Sequence, residues 1–121
     1  MSTLPDEALV IRGGQNLPIS CTQGSGVQVE TGGKLQGVSV NSSPGVSMLE
    51  LTAPNPQIGY PGIPHNQIGV TTVGAVRAAG GDVVPVPTRT NPYHALLSGL
   101  TPEQASVLFR PTVKNPHRRE K

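Results

Sequence analysis

Two polar side chains occur at predicted strand ends, where phosphate chemistry could use them. Arg12 follows the apolar run 8–11 and precedes a Gly-Gly turn, so a predicted strand presents its guanidinium at one end. A planar guanidinium holds a phosphate group through two parallel hydrogen bonds. His94 begins the predicted strand 94–97, and imidazole is the side chain that exchanges protons near neutral pH. We therefore expect Arg12 and His94 to be catalytic, against the alternatives of a surface salt bridge and a structural histidine.

Four other side chains could hold a phosphate or a planar ligand. Ser39 lies on a predicted strand, and Thr71 and Thr72 precede a predicted helix, whose N-terminus attracts anions. Tyr93 adjoins His94 and could stack on a base or a nicotinamide ring. The alternatives are that Ser39 is a solvated strand residue, that Thr71 and Thr72 cap the helix, and that Tyr93 fills the core. The predicted cofactor-binding residues are Arg12, Ser39, Thr71, Thr72 and Tyr93.

Positive charge is concentrated at the C-terminal end of the chain. The formal net charge is +2, and residues 110–121 contain five of the nine Lys and Arg, while the preceding part is mildly acidic. Such a segment attracts phosphate, nucleic acid or an acidic protein, or it is simply a solvated terminus. The residues predicted to bind nucleic acid or a partner are Arg110, Lys114, Arg118 and Arg119.

Several other chemistries lack the residues that they need. The seven Asp and Glu show no paired spacing suited to glycoside hydrolysis or two-metal catalysis. The histidines are far apart and Cys21 is the single cysteine, so we expect neither a metal site nor an internal disulfide. The Gly-Gly pairs lack the Lys-Ser/Thr ending of a triphosphate-binding loop. His65 and His117, in a Pro-rich loop and the tail, are the weaker histidine candidates.

The N-terminal sequence and the hydropathy pattern bear on localisation. No run of eighteen apolar residues occurs, and the first residues are not a basic segment followed by an apolar one. We therefore expect no membrane span and no cleavable signal peptide. A single cysteine, which cannot form an internal disulfide, fits a cytoplasmic site of action. If the protein is exported, we expect a route that needs no cleavable signal peptide.

The chain length and the positions of turn residues and helix caps predict one α+β domain, 1–121. The 15 Gly and 13 Pro imply frequent turns, and few aromatics imply a thin aliphatic core of marginal stability. We expect a small twisted, mostly antiparallel sheet with two or three short helices and long Pro/Gly-rich loops. The predicted strands are 8–11, 27–30, 35–40, 67–70, 82–86 and 94–97. The predicted helices are 46–51, 73–79 and 102–109, and the first of them is capped from 41–44. We expect loops at 17–26 and 53–64 and a basic extended arm at 110–121.

Four islands of the sequence together resemble small bacterial toxin domains. They are Val10-Ile11-Arg12-Gly13-Gly14, Gly37-Val38-Ser39-Val40, the run from Thr71 to Pro85, and Asn91-Pro92-Tyr93-His94. Their order is similar to that in cytotoxic effectors of type VI secretion whose fold resembles mono-ADP-ribosyltransferases, and in C-terminal domains of polymorphic toxins.

The resemblance implies a split sheet, NAD as the cofactor, and a cognate immunity protein or antitoxin as a partner. It implies that Arg12 holds the dinucleotide phosphates and that Ser39 is the middle-strand hydroxyl. Many such transferases carry a catalytic glutamate on a late strand, where this sequence has His94 instead. Glu103 falls on a predicted helix, and this departure puts transferase activity in doubt.

Two further functions stay open beside the transferase. A metal-independent ribonuclease toxin would use a histidine to remove the 2′-hydroxyl proton and a cation to stabilise the phosphate, roles open to His94, Arg12 and Arg110. RNA would then be the target. A noncatalytic interaction module would use the tail and the Pro-rich loop to dock a partner.

Overall fold

The computed structural model describes residues 4–22, 27–30 and 32–117. In this part of the chain, six strands form one sheet of order β6-β7-β4-β1-β5-β8, and every neighbouring pair is antiparallel. The predicted α+β class with a mostly antiparallel sheet is therefore confirmed. The strands are β1 Leu9–Gly13, β2 Gln28–Val29, β3 Leu35–Gln36, β4 Val38–Ser42, β5 Gln67–Thr72, β6 Asp82–Pro85, β7 His94–Ser98 and β8 Val113–Lys114, and the helices are α1 Pro18–Cys21, α2 Met48–Thr52, α3 Val73–Ala78 and α4 Pro102–Phe109.

Both faces of the sheet are covered, which explains why β1 is apolar without strict alternation. Val10 and Ile11 are both fully buried, although their side chains point to opposite faces. Val10 belongs to a larger core that includes Val76 of α3 and Phe109 of α4. Ile11 belongs to a smaller core with Leu51 of α2 and residues of the loop before β5. We call these faces the helix face and the loop face.

The sheet splits between its two central strands. Val10 lies opposite Ser42 and Ile11 opposite Asn41, and the β1–β4 ladder ends there. β1 nevertheless continues to Gly13, paired with β5, while β4 begins at Val38, paired with β7. The sheet therefore opens at one end into the halves β6-β7-β4 and β1-β5-β8.

Local capping signals set the helix starts. The Thr72 hydroxyl accepts a hydrogen bond from Ala75 N and begins α3. Thr101 and Gln104 form a reciprocal capping box at the start of α4, so the predicted helix 102–109 is confirmed. The predicted helix 46–51 is present as α2, but Ser47 caps it. The prediction of a cap from 41–44 was wrong, because Asn41 and Ser42 belong to β4.

Two other segments differ from the predicted pattern. The predicted strands 27–30 and 35–40 form a hairpin only through β2 and β3, because Gly37, at φ 74°, separates β3 from β4. Released from that hairpin, β4 becomes a central strand between β1 and β7. The predicted loop 17–26 contains the short helix α1, and its residues 23–26 lie outside the described residues.

The C-terminal segment packs on the sheet as far as the structure describes it. β8 pairs with β5, and Asn115 is fully buried beneath the loop that precedes β5. The described part of the predicted arm 110–121 thus contains β8 and a turn at 116–117, and the Asn115 side chain bonds it to the loop before β5. In the described ranges, no helix has the length and apolar character that crossing a bilayer requires.

Candidate functional site

A cleft of about 280 Å³ opens on the loop face where the two halves of the sheet part. Its lining includes three residues that the sequence singles out, Arg12, Ser39 and His94. The register of the strands explains why Ser39 and His94 lie close together. Asn41 lies opposite both Ile11 and His94, so these side chains form one row across the loop face. Ser39, two residues before Asn41, shares that face. We call this site the split cleft.

The hydrogen bonds of His94 define its tautomer. Nδ1 lies 2.9 Å from the carbonyl oxygen of Val86, and this oxygen can only accept. Nδ1 therefore carries the proton, and the neutral imidazole exposes the lone pair of Nε2. Nε2 lies 3.3 Å from the Ser39 hydroxyl, which can donate to it. The pair is half-open to solvent, so the imidazole presents an oriented basic nitrogen to a ligand.

Arg12 lines the cleft, but its guanidinium is directed elsewhere. Alternation along β1 places its side chain with Val10 on the helix face. There Nη1 donates to Oδ1 of Asn16 at 2.8 Å, and Nδ2 of Asn16 donates to the Arg12 carbonyl at 3.0 Å. The guanidinium and the His94 imidazole are therefore on opposite faces of the sheet, next to the same split.

A second imidazole enters the split cleft from the loop before β5. His65 is exposed, lines the cleft, and lies directly over Gly13, where a Cβ atom would collide with its ring. Its ring makes no hydrogen bond to a described residue. Sequence reasoning ranked His65 low because of its Pro-rich surroundings. The signal that could have found it is Gly13, since a strand glycine often marks a close approach by another group.

A buried polar network forms the wall of the cleft. Nδ2 of Asn41 donates to the Leu51 carbonyl at 2.9 Å and to the Tyr60 hydroxyl at 2.6 Å. Oδ1 of Asn41 accepts from Nδ2 of Asn91 at 2.9 Å. Burial raises the pKa of Tyr60, an effect that the Asn41 hydrogen bond partly opposes. The phenol therefore stays protonated at neutral pH and retains its own proton for donation.

The other predicted ligand residues lie outside the split cleft. Thr71 pairs with Val10 inside the sheet, and Thr72 caps α3. Tyr93 lines a neighbouring hollow. Glu103 is exposed on α4 and also lines a different surface.

The basic residues of the tail are likewise away from the cleft. Arg110 is exposed beside Ser106 and Pro111, and Lys114 is exposed on β8. Arg118 and Arg119 lie outside the described residues. The prediction that these four bind a nucleic acid or a partner stays a prediction.

The charge pattern of the split cleft favours an anionic ligand. Two histidines line the cleft, Arg12 lies beside it with its guanidinium on the other face, and no described lining residue is Asp or Glu. Over the described ranges, no group of three or more His, Cys, Asp and Glu could hold a metal ion. The two imidazoles of the cleft are groups that can transfer protons near neutral pH.

Comparison of the chain with protein-family models, with curated proteins and with solved structures finds no match.

Proposed function

We propose that the protein is a metal-independent ribonuclease of the bacterial toxin type, which acts on RNA in the cytoplasm and cleaves it in the split cleft. One observation carries the proposal: His65 and His94 line one cleft whose described lining residues include no carboxylate. Cleavage of RNA through its 2′-hydroxyl needs one group to take up a proton and another to supply one. Two imidazoles meet that need at neutral pH.

The hydrogen bond from Nδ1 of His94 to the Val86 carbonyl supports a role for this residue as the base. Its bare Nε2 removes the proton of the 2′-hydroxyl, and the oxygen attacks the adjacent phosphorus. The bond from phosphorus to the 5′-oxygen breaks, and protonated His65 gives its proton to that leaving oxygen. The products are a 2′,3′-cyclic phosphate and a new 5′-hydroxyl end. Ser39 orients the His94 ring at 3.3 Å, and the positive charge of Arg12 beside the split attracts the phosphodiester.

The test is RNA cleavage by purified His94→Ala and His65→Ala, with His117→Gln as the matched control. His117 is the third histidine, and it lies outside the cleft, where its Nε2 donates to the Leu49 carbonyl at 2.8 Å. We expect each cleft variant to lose about 10²- to 10⁴-fold in kcat/KM, the usual effect of a general acid or base. The control should keep its activity.

The pH profile provides an independent check. Since one histidine acts unprotonated and the other protonated, kcat/KM should follow a bell-shaped curve, and each alanine variant should lose one limb. A metal chelator should leave the rate unchanged. Full cleavage by both alanine variants, or a rate that returns only with added metal, would refute this assignment.

ADP-ribosyl transfer from NAD is the second candidate. The observation that favours it is that Arg12, Ser39 and His94 all line the split cleft. The resemblance assigns the dinucleotide phosphates to Arg12 and the middle-strand hydroxyl to Ser39. It is the weaker candidate because no described lining residue is a carboxylate, and because the Arg12 guanidinium binds Asn16 on the other face. Transfer of label from NAD to a macromolecule, without RNA fragmentation, would select it over the ribonuclease.

Expression in bacteria separates both enzymes from an interaction module. Induction of the wild type without a partner gene should arrest growth, and His94→Ala should not. Normal growth on induction would favour the module. The partner that we propose is an immunity protein or antitoxin, which should restore growth when it is co-expressed.

A further inference from the structure

We propose that a hollow next to the split cleft binds the base of the RNA substrate and that it prefers guanine. This inference rests on the proposed ribonuclease function. The hollow measures about 170 Å³ and shares one wall residue, Tyr60, with the split cleft. Its other lining residues that the argument uses are Glu50, Pro54, Pro92 and Tyr93. We call it the base hollow.

The base hollow lies within one nucleotide of the catalytic imidazole. Tyr93 directly precedes His94, so their Cα atoms are about 3.8 Å apart. Tyr60 contacts both spaces. A nucleotide whose 3′-phosphate lies at His94 can therefore place its base in the base hollow.

The walls of the hollow suit a flat ring. Pro54 and Pro92 offer apolar surfaces, and Tyr93, half-buried on the loop face, offers an aromatic one. Bases stack on such surfaces whatever their identity. Stacking alone would therefore bind all four bases, and the preference must come from the polar groups.

Three polar groups of the base hollow have hydrogen-bonding capacity to spare. Within the described residues, the Glu50 carboxylate and the Tyr93 hydroxyl have no hydrogen-bond partner. The Tyr60 hydroxyl accepts from Asn41, whose amide orientation is set because the Leu51 carbonyl can only accept. The Tyr60 proton is therefore left to donate. The hollow thus combines an anionic acceptor with two phenolic donors.

Guanine is the base whose edge matches this set. Its N1–H and N2–H₂ donate side by side and can bind both oxygens of a carboxylate, while its O6 accepts from a phenol. Adenine instead presents the acceptor N1 beside its amino group, and a carboxylate repels that nitrogen. Uracil and cytosine each place a carbonyl oxygen or a ring acceptor in the same position. A bidentate carboxylate contact therefore selects guanine from the other three.

The experiment compares cleavage of the dinucleotides GpU, ApU, CpU and UpU by the wild type and by Glu50→Gln. A good bidentate contact discriminates by about 5- to 150-fold, which is the preference expected for GpU over ApU in the wild type. Glu50→Gln should remove most of that preference by lowering the rate on GpU. Glu103→Gln, an exposed glutamate outside both spaces, is the matched control and should keep the preference.

A binding measurement keeps this inference separable from the ribonuclease proposal. Calorimetry with 3′-GMP and 3′-AMP reports base preference without any cleavage. Preferential binding of 3′-GMP that Glu50→Gln abolishes, in a protein that cleaves no RNA, would support the base hollow and refute the nuclease. Equal binding of the two nucleotides, or a preference that Glu50→Gln does not change, would overturn the base hollow.

Discussion

At the scale of single residues, Gly13 determines whether His65 can enter the split cleft. The His65 ring lies over the Gly13 backbone, so a side chain at position 13 would collide with it. A Cβ atom at position 13 would also lie 2.8 Å from Ile63 Cγ2. The imidazole reaches the cleft only because glycine leaves that volume empty. The sequence shows Gly13 as a turn residue, whereas in the fold it is a paired strand residue beneath the His65 ring.

We predict that Gly13→Ala displaces His65 and lowers RNA cleavage by about 10²-fold, since a misplacement of about 1 Å can cost that much. Gly69→Ala is the contrasting variant. Its Cβ would lie 2.5 Å from Phe109 Cβ and 2.7 Å from the Phe109 carbonyl oxygen, deep under α4. Overpacking there should lower the free energy of unfolding by about 1–3 kcal/mol.

Cleavage assays and urea unfolding of both variants test this difference. Gly13→Ala should lose activity out of proportion to its loss of stability, because the ring it displaces is exposed and can swing away. An active Gly13→Ala protein would show that His65 is not needed in its present position.

At the scale of elements, β8 holds the loop that carries His65. The buried amide of Asn115 donates to the Ile63 carbonyl at 2.8 Å and to the His65 carbonyl at 2.9 Å. Its backbone N–H donates to the Asn66 carbonyl at 2.8 Å. A segment that the sequence marks only as a basic, Pro-containing tail therefore positions the backbone of a residue in the cleft.

We predict that Asn115→Ala weakens both the loop and the catalysis. The buried Ile63 carbonyl and the partly buried His65 carbonyl lose the hydrogen bonds of the Asn115 amide, and loss of a hydrogen bond to a buried group costs about 1–3 kcal/mol of stability. RNA cleavage should fall further than the folded fraction, because the His65 loop is released. Thr112→Val is the control from the same segment: its exposed hydroxyl donates to Gln67 Oε1 at 2.9 Å, away from His65.

Urea unfolding and cleavage assays on Asn115→Ala and Thr112→Val decide the point. Equal activity per folded molecule in Asn115→Ala and the wild type would mean that the loop keeps His65 in place without this anchor.

At the scale of the whole molecule, burial of two weak acids predicts a loss of stability in alkaline solution. Burial raises the pKa of Cys21 above 9.0, against a smaller opposing effect of Arg12, and burial likewise raises the pKa of Tyr60 above 10.0. The unfolded chain therefore releases these protons at lower pH than the folded protein does. Folding stability should be fully present below about pH 9 and should fall as the pH rises towards the raised values.

Urea unfolding between pH 8 and pH 11 measures this dependence. Cys21→Ala should flatten the decline in the free energy of unfolding that begins near pH 9.0, the ordinary pKa of cysteine. Tyr60→Phe should flatten the part of the decline above pH 10.0, the ordinary pKa of tyrosine. A free energy of unfolding that stays constant up to pH 11 would contradict the prediction.

Local interactions determine much of this structure, because the residues that make them lie near each other in the sequence. The cap at Thr101 and the helix after it depend on residues within a few positions of each other. The edge position of β6 likewise follows from Pro85 at its end and Pro87 just beyond it. The sequence by itself also identified His94 and Ser39 as polar residues on strands.

The tertiary structure alone determined which of these residues meet. Register across β1, β4 and β7 brings Ser39 to His94 over 55 positions of sequence, and strand alternation turns the Arg12 guanidinium to the opposite face. His65 and Tyr60 enter the site on an irregular loop that has no periodicity to read. Pairing register and loop path depend on long-range packing of both sheet faces, and no short stretch of sequence contains that information.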